Sequence, residues 1–161
     1  MSFDARTFRN ALGSFATGVT VVTSVGSEGQ PLGFTANSFN SVSLDPPLVL
    51  FSLDRGAYSL KAFEAAGVFA INVLSEAQEP LSVAFACPRG DKWQGVRFEA
   101  WQTGSPILLD ALASFDCETT SMHDGGDHVI FVGRVVQLRI ADEGRPLLYF
   151  RGAYRQIAEP I

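Results

Sequence analysis

The sequence GFTANSFNSVSLDPP, residues 33–47, followed directly by LVLFSL, residues 48–53, decides the fold of this chain. Its first half carries six short hydrogen-bonding side chains, which are Thr35, Asn37, Ser38, Asn40, Ser41 and Ser43. A strand that only filled a core would have little use for them, because each buried polar side chain needs a hydrogen-bond partner. The run therefore fits one of two structures. Either a strand edge presents donors and acceptors to a polar, planar ligand, or a Ser/Asn-rich strand end turns over Asp45-Pro46-Pro47.

Composition is that of a globular protein. The chain has 161 residues, of which 47% are hydrophobic and 18% charged, and this length suits one domain with a sizeable core. We therefore expect a single domain over residues 1–161. The net charge is −5 and the arginines are scattered, which argues against nucleic acid because a phosphate backbone requires a concentrated positive surface.

The sequence also bears on location. The N-terminal stretch MSFDARTFRNALGSF lacks the continuous apolar segment of a secretory signal, and no apolar run approaches the roughly 20 residues that span a bilayer. Cys87 and Cys117 lie thirty positions apart with no second cysteine near either, so no zinc or redox spacing can be built from them. We expect reduced thiols in a cytoplasmic protein that has no membrane partner.

Hydrophobic periodicity predicts a mainly β chain with two or three short helices. Helices are predicted over residues 4–16, about 54–66 and 76–86, and strands over residues 18–24, 31–39, 48–53, 68–74, 112–122, 128–140 and 147–157. The first helix, with Asp4 as its N-cap, is expected to lie over the body of the domain. Hairpin turns are predicted at residues 26–29 and 124–127, and Ser75 with Gln78 fits a capping box. Because no βαβ repeat appears, the strands favour a small antiparallel barrel.

Three features could carry chemistry. A helix beginning after Asp54, with Arg55, Ser59 and Lys61 around its first turn, would bind a small anion, although ordinary capping with solvated charges explains the same residues. The segment HDGGDH, residues 123–128, brings together side chains that ligate metals. Its Gly-Gly pair is explained by the hairpin turn, however, so no metal site is predicted. Residues 87–104, which contain Trp93 and Trp101, predict a loop that either binds ligand or forms an interface.

Nucleotide-binding and nucleophile motifs are missing from the sequence. It contains no GxGxxG after a first strand, no P-loop and no GxSxG elbow. A nucleotide would therefore be held in a barrel mouth or a dimer cleft.

Five motifs together identify a family. They read GFTANSFNSVSLDPPLVLFSL, DRGAYSLKAF, GDKWQGV, GDHVIFVGRV and PLLYFRGAYR, at residues 33–53, 54–63, 90–96, 126–135 and 146–155. In this order the chain resembles the short-chain flavin reductase family, the flavin-binding split barrels that serve two-component monooxygenases. The resemblance implies a homodimeric, antiparallel Greek-key split β-barrel that reduces FMN or FAD with NADH or NADPH and supplies reduced flavin to a separate oxygenase. The alternative on the same fold is an electron carrier that holds FMN tightly and lacks NAD(P)H reductase activity.

The resemblance also implies the site residues. Those expected along the isoalloxazine ring and ribityl chain are Thr35, Ala36, Asn37, Ser38, Phe51, Ser52 and Leu53. Those expected to bind the flavin phosphate are Arg55, Ser59 and Lys61. His128 would lie near the nicotinamide. The alternative is that His128 is simply a core-facing or exposed histidine without a ligand. Tyr154 would close the site near the dimer interface. No essential acid or base is expected, because the hydride passes between the two cofactors.

Overall fold

The computed structural model describes residues 2–158 of the chain. Its α-helices are α1 (Ala5–Leu12), α2 (Leu60–Ala66) and α3 (Glu79–Ala86), and the 3-10 turn Glu76–Gln78 precedes α3. Its strands are β1 (Thr17–Gly18), β2 (Thr20–Val25), β3 (Pro31–Ala36), β4 (Asn40–Leu44), β5 (Pro47–Asp54), β6 (Val68–Val73), β7 (Phe98–Ala100), β8 (Pro106–Leu108), β9 (Ala113–Gly125), β10 (His128–Ile140), β11 (Leu148–Phe150) and β12 (Ala153–Arg155). None of these helices is long and apolar enough to cross a membrane.

The main sheet has seven strands in the order β3-β2-β6-β9-β10-β5-β4, and every neighbouring pair is antiparallel. The predicted hairpin turns join β2 to β3 and β9 to β10, and Gly29 and Gly126 supply their positive φ angles of 78° and 76°. β5 lies beside β10, and β6 lies beside β9. The longer connections therefore join strands that belong to different hairpins, as in a Greek key. The mainly β antiparallel fold predicted from the sequence is confirmed.

An aromatic core curls this sheet into a barrel. Phe51 of β5 and Phe131 of β10 are stacked, with ring centroids 4.9 Å apart and an interplanar angle of 5°, and Phe69 of β6 meets Phe51 edge-on at 4.8 Å. Phe34 of the edge strand β3 also reaches Phe51, at 5.8 Å, and contacts Phe63 of α2 at 5.4 Å. Since β3 and β5 lie near opposite ends of the strand order, these contacts bring the two ends of the sheet together around one core.

Gly133 allows this core to close. A Cβ at this position of β10 would lie 2.3 Å from the Phe69 ring, and the register between β9 and β10 shifts between Val132 and Gly133. The glycine is therefore a point of close approach between β10 and the Phe69 ring, where no side chain would fit without a shift of that ring.

A second cluster of buried residues packs α3 against the other side of β2. Its members are Val19, Val21, Leu74, Phe85, Leu108 and Leu147. The buried Asn72 side chain supports it, since its amide donates to the Val21 carbonyl at 3.1 Å and its oxygen accepts from the Leu108 N–H at 2.9 Å. This cluster holds α3 and the chain that follows it beside β3.

Some element bounds differ from those predicted. The strand predicted over residues 31–39 stops at Ala36. A separate strand that was not predicted, β4, forms the opposite edge of the sheet. The predicted loop over residues 87–104 contains β7, which pairs with β8. The last predicted strand breaks at Arg151 and Gly152, whose φ angles of 49° and 75° turn β11 back into β12.

The helix predicted over residues 76–86 is confirmed by the 3-10 turn Glu76–Gln78 and α3, whereas the first two helices differ from their predictions. Asp4 caps α1 as expected, accepting the Thr7 N–H at 2.7 Å. However, α1 does not pack onto the described body of the chain, because none of its residues is buried. α2 begins at Leu60 rather than directly after Asp54, because the Asp54 carboxylate accepts the Gly56 N–H and caps a separate turn.

Candidate functional site

A cavity of about 1280 Å³ opens beside the barrel. It is larger than the ~300–1,000 Å³ usual for one small-molecule ligand, so it has room for two. One side, here called the barrel wall, consists of residues 31–38 on and after β3, residues 52–54 and 56–59, and Gly125, His128 and Ile130 of the β9–β10 hairpin. The other side, here called the loop wall, consists of residues 85–93 at the end of α3 and in the loop that follows it.

The barrel wall offers backbone hydrogen-bonding groups. In the sheets formed by residues 2–158, β3 pairs with β2 alone, so its other edge has no strand partner. All residues of β3 line the cavity. The unpaired N–H and C=O groups of an edge strand need partners, and a planar ligand with a polar rim can supply them.

Two hydroxyls of the segment 35–38 are already bonded within the protein. Thr35 Oγ1 donates to the carbonyl of Ser82 in α3 at 2.6 Å, which ties β3 to that helix. Ser38 Oγ accepts the Ser52 N–H at 3.0 Å, which ties the end of β3 to β5. The exposed amide of Asn37, which lines the cavity, has no hydrogen-bond partner among the described residues. This run therefore combines strand-end bonding with polar groups that remain available to a ligand.

β5 and β10 place three more predicted residues on the barrel wall. Ser52, Leu53 and His128 all line the cavity. His128 Nδ1 lies 2.7 Å from the Asp127 carboxylate, and this hydrogen bond, together with the charge of the imidazole, lowers the pKa of Asp127. The His128 ring is 41% exposed, and its Nε2 has no protein partner within residues 2–158. Asp127 thus orients the ring and leaves Nε2 for a ligand.

Of the three residues predicted to bind phosphate, Ser59 lines the cavity and the other two lie elsewhere. The Arg55 guanidinium donates to the Asp124 carboxylate at 2.6 Å and to the Gly126 carbonyl at 2.8 Å, and it lowers the pKa of Asp124. Lys61 is exposed on α2 outside the cavity. Arg55 therefore fastens the β9–β10 hairpin to the end of β5 instead of facing the cavity.

Two further predicted residues lie behind the site. Phe51 is fully buried against Phe131, so its side chain belongs to the core and not to the cavity wall. The Tyr154 hydroxyl is 2.7 Å from Ser82 Oγ and borders a smaller cavity of about 330 Å³. Because the Ser82 carbonyl accepts from Thr35, Ser82 of α3 links Tyr154 to the barrel wall.

The loop wall contains two basic residues to which the sequence predictions assigned no role. Arg89 and Lys92 line the cavity there, together with Cys87 and Trp93. The Trp93 ring contacts Phe85 edge-on at a centroid distance of 4.9 Å. It therefore packs on its own domain and also lines the cavity. The signal in the sequence was two basic residues close to a tryptophan in a Gly- and Pro-containing loop, PRGDKW, residues 88–93.

Trp101, the other tryptophan of the predicted loop, does not line the cavity. It lies under the Arg139 guanidinium, 5.2 Å from ring centroid to Cζ, and its Nε1 donates to Glu99.

The segment HDGGDH forms the predicted hairpin, and its side chains have other partners. His123 Nε2 lies 2.9 Å from Ser121 Oγ, and the two carboxylates contact Arg55 and His128. Among residues 2–158 no group of three or more His, Cys, Asp or Glu is placed to hold a metal ion.

Comparison with known proteins matches residues 12–158 to the model of the "Flavin reductase like domain" family. The chain is 44% identical over 156 residues to the reductase subunit HsaB of a flavin-dependent monooxygenase from Rhodococcus jostii, covering 97% of this chain and 80% of the relative. It is 46% identical over 151 residues to SmoA, an FMN reductase (NADH) from Agrobacterium fabrum, covering 94% and 85%. A solved structure of SgcE6, an NADH:FAD oxidoreductase of Streptomyces globisporus in complex with NAD and FAD fragments, superposes with a TM-score of 0.91 at 37% identity, covering 96% and 93%.

Proposed function

This chain belongs to the flavin reductase-like domain family, and we propose that it reduces FMN or FAD by hydride transfer and supplies the reduced flavin to a partner monooxygenase. The observation that carries the proposal is that the cavity, with the free edge of β3 along one side, lies wholly within the residues matched to the family. The relatives named above are reductases or reductase subunits, and two of them are named for their use of NADH. NADH or NADPH is accordingly the proposed hydride donor.

The barrel wall fits a flavin ring. Residues 35–38 offer backbone groups and the Asn37 amide for the polar edge of the ring, while Ser52 and Leu53 supply the adjoining surface. A bound flavin supplies the electron-accepting ring, so that hydride transfer needs no protein acid or base. Backbone N–H groups on the free edge would stabilise the negative charge that a reduced ring carries.

The remaining predicted residues take two kinds of role. Ser59, beside the N-terminus of α2, would contact the ribityl-phosphate end of the flavin, and His128 Nε2 would hydrogen-bond the nicotinamide carboxamide. Phe51, Arg55 and Tyr154 would support the barrel wall through the core, the β9–β10 hairpin and α3, respectively. Lys61 is too exposed for either role unless the ligand extends beyond the cavity.

We also propose that the chain, as a single domain over residues 1–161, acts as a cytoplasmic homodimer. Four apolar side chains of α1 and its flanks are largely exposed, namely Phe3 (65%), Phe8 (50%), Leu12 (58%) and Phe15 (78%). A contiguous apolar face of this kind is typical of a subunit interface. A second copy of the chain would cover it.

The test is steady-state oxidation of NADH and NADPH by the purified protein, with and without added FMN, FAD or riboflavin. Oxidation that saturates with added flavin is expected, and the same titrations give both cofactor preferences. If the protein binds flavin but oxidises neither nucleotide, the electron-carrier function replaces this one. If it binds no flavin, the proposed function is wrong.

A further inference from the structure

The hairpin formed by β7 and β8 connects the loop wall of the cavity to the main sheet. Phe98, the first residue of β7, contacts the Trp93 ring edge-on at a centroid distance of 5.1 Å, and Trp93 lines the cavity. Leu109, directly after β8, donates its N–H to the Arg97 carbonyl at 3.1 Å, which closes the base of the hairpin beside Phe98. Residues 98–108 themselves do not line the cavity. The hairpin therefore supports the loop wall from outside the cavity.

Buried polar side chains of the main sheet bind β8. Thr23 of β2 donates its hydroxyl to the Pro106 carbonyl at 2.5 Å, and the amide oxygen of Asn72 in β6 accepts the Leu108 N–H at 2.9 Å. Both side chains belong to fully buried residues. Leu108 is the residue of β8 that pairs with Phe98 of β7. The bonds from the sheet therefore fix the hairpin at the level of its contact with the loop wall.

A third buried group of the sheet holds the turn of the hairpin. The Asp116 carboxylate of β9 is fully buried and accepts the Thr103 N–H at 3.0 Å and the Thr103 hydroxyl. The Thr103 hydroxyl oxygen in turn accepts the Ser105 N–H at 3.2 Å. A buried carboxylate requires hydrogen-bond donors, and Thr103 provides both of those that Asp116 has within residues 2–158. The turn and the sheet are thus joined through one pair of residues.

Ion pairs at the surface add to these buried contacts. Glu99 of β7 pairs with Arg139 of β10 at 2.5 Å, and the same guanidinium lies over the Trp101 ring. Arg97 pairs with Asp110 across the base of the hairpin. A hairpin with three residues in each strand is only marginally stable by itself, so its position depends on such contacts.

We propose that Asp116 and Thr103 are positioning residues for the loop wall. They act through the β7–β8 hairpin, whose Phe98 ring supports Trp93, and the hairpin sets how closely the loop wall approaches the barrel wall. The inference rests on the proposed function, because the flavin and the nicotinamide nucleotide are the ligands that it affects. Neither positioning residue lines the cavity, so their loss should weaken ligand binding more than it slows hydride transfer.

The experiment compares Thr103→Val, Thr103→Ser and Asp116→Asn with the wild type. Thr103→Val has a similar shape and removes the hydroxyl that donates to Asp116, whereas Thr103→Ser keeps it. Ser24→Ala is the matched control. It also removes one side-chain hydrogen bond of a buried residue, to the Val68 carbonyl at 2.7 Å, but that bond joins β2 to β6 instead of the hairpin. Amide hydrogen exchange measures opening of each wall, and steady-state NADH oxidation with added flavin measures binding and turnover.

Thr103→Val and Asp116→Asn should speed exchange in residues 85–96 about fivefold, while residues 31–38 of the barrel wall stay within about twofold of the wild type. The apparent Michaelis constant for flavin should rise about fivefold and kcat should change less than about twofold. Thr103→Ser should restore the wild-type exchange and Michaelis constant. Ser24→Ala should leave both near the wild type, because it does not loosen the hairpin.

Unchanged exchange of residues 85–96 in Thr103→Val would overturn the positioning role, and this variant decides alone if Asp116→Asn fails to fold. Equally faster exchange in both walls would overturn it as well, because the substitution would then lower only the global stability. Faster exchange in the loop wall with an unchanged Michaelis constant would overturn the link to ligand binding. Exchange needs no catalysis, so a wild type that binds no flavin would contradict the proposed function while the exchange data still decide the role of the hairpin.

Discussion

The two walls of the cavity are stabilised in different ways. The barrel wall is largely part of the seven-stranded sheet and is backed by the stacked rings of Phe51 and Phe131, and its Thr35 and Ser38 hydroxyls are bonded within the protein. The loop wall has little regular structure, rests on the edge-on contact of Trp93 with Phe85, and carries two cations without carboxylate partners. The barrel wall is therefore built on the sheet and its core, whereas the loop wall is an irregular segment that carries positive charge unpaired within residues 2–158.

The largest effect should come from removing the core behind the barrel wall. Phe51→Ala deletes a fully buried ring that contacts Phe34, Phe63, Phe69 and Phe131, so we expect a loss of about 3–5 kcal/mol in the free energy of unfolding. Phe98→Ala removes a ring that is 41% exposed behind the loop wall and should cost about 1 kcal/mol. Urea denaturation of both variants makes the comparison, and equal losses would show that the two walls depend on one core.

The second-largest effect is expected from a substitution of Gly33, where the two walls meet. A Cβ there would lie 2.8 Å from the Phe85 ring and 3.1 Å from the Trp93 ring. Gly33→Ala should therefore displace the loop wall, cost about 1–3 kcal/mol in unfolding free energy and weaken flavin binding. Gly18→Ala in β1 is the matched control, since a Cβ there meets nothing within 4 Å. Wild-type stability and affinity in Gly33→Ala would mean that the walls do not touch in solution.

A smaller effect is expected from His128 on the barrel wall. His128→Ala should raise the apparent Michaelis constant for NADH or NADPH about two- to tenfold, with a smaller change in kcat, because the variant would lack the proposed hydrogen bond to the nicotinamide. His123→Ala is the control, as His123 bonds Ser121 and does not line the cavity. If the two variants have the same Michaelis constant, His128 is not part of the nicotinamide site.

The smallest effect concerns thiol access on the loop wall. Cys87 is exposed and lines the cavity, whereas Cys117 is buried and its pKa is raised by burial and by Asp116. Ellman's reagent should modify one thiol quickly in the native protein, and saturating flavin should slow that reaction several-fold. Cys87→Ser should abolish the fast phase. A rate that flavin does not change would place the bound flavin away from Cys87.

The sequence predicts the barrel wall better than the loop wall, for a physical reason. Local patterns determine the hairpin turns at Gly29 and Gly126 and the capping box of Ser75 with Gln78, and the structure confirms them. The position of Lys92 depends instead on how α3 packs against β3, which is a contact between segments far apart in the chain. Arg55 shows the same limit, because its partner Asp124 is 69 residues away and the register of β5 with β10 brings them together.

We propose that the flavin ring lies on the barrel wall with its polar edge against residues 35–38. A crystal structure of the protein with bound FMN tests it most directly. We expect backbone groups of that segment, and the Asn37 amide, within hydrogen-bond distance of the polar edge of the ring. A ring bound outside the 1280 Å³ cavity, for example in the smaller cavity beside Tyr154, would contradict the account.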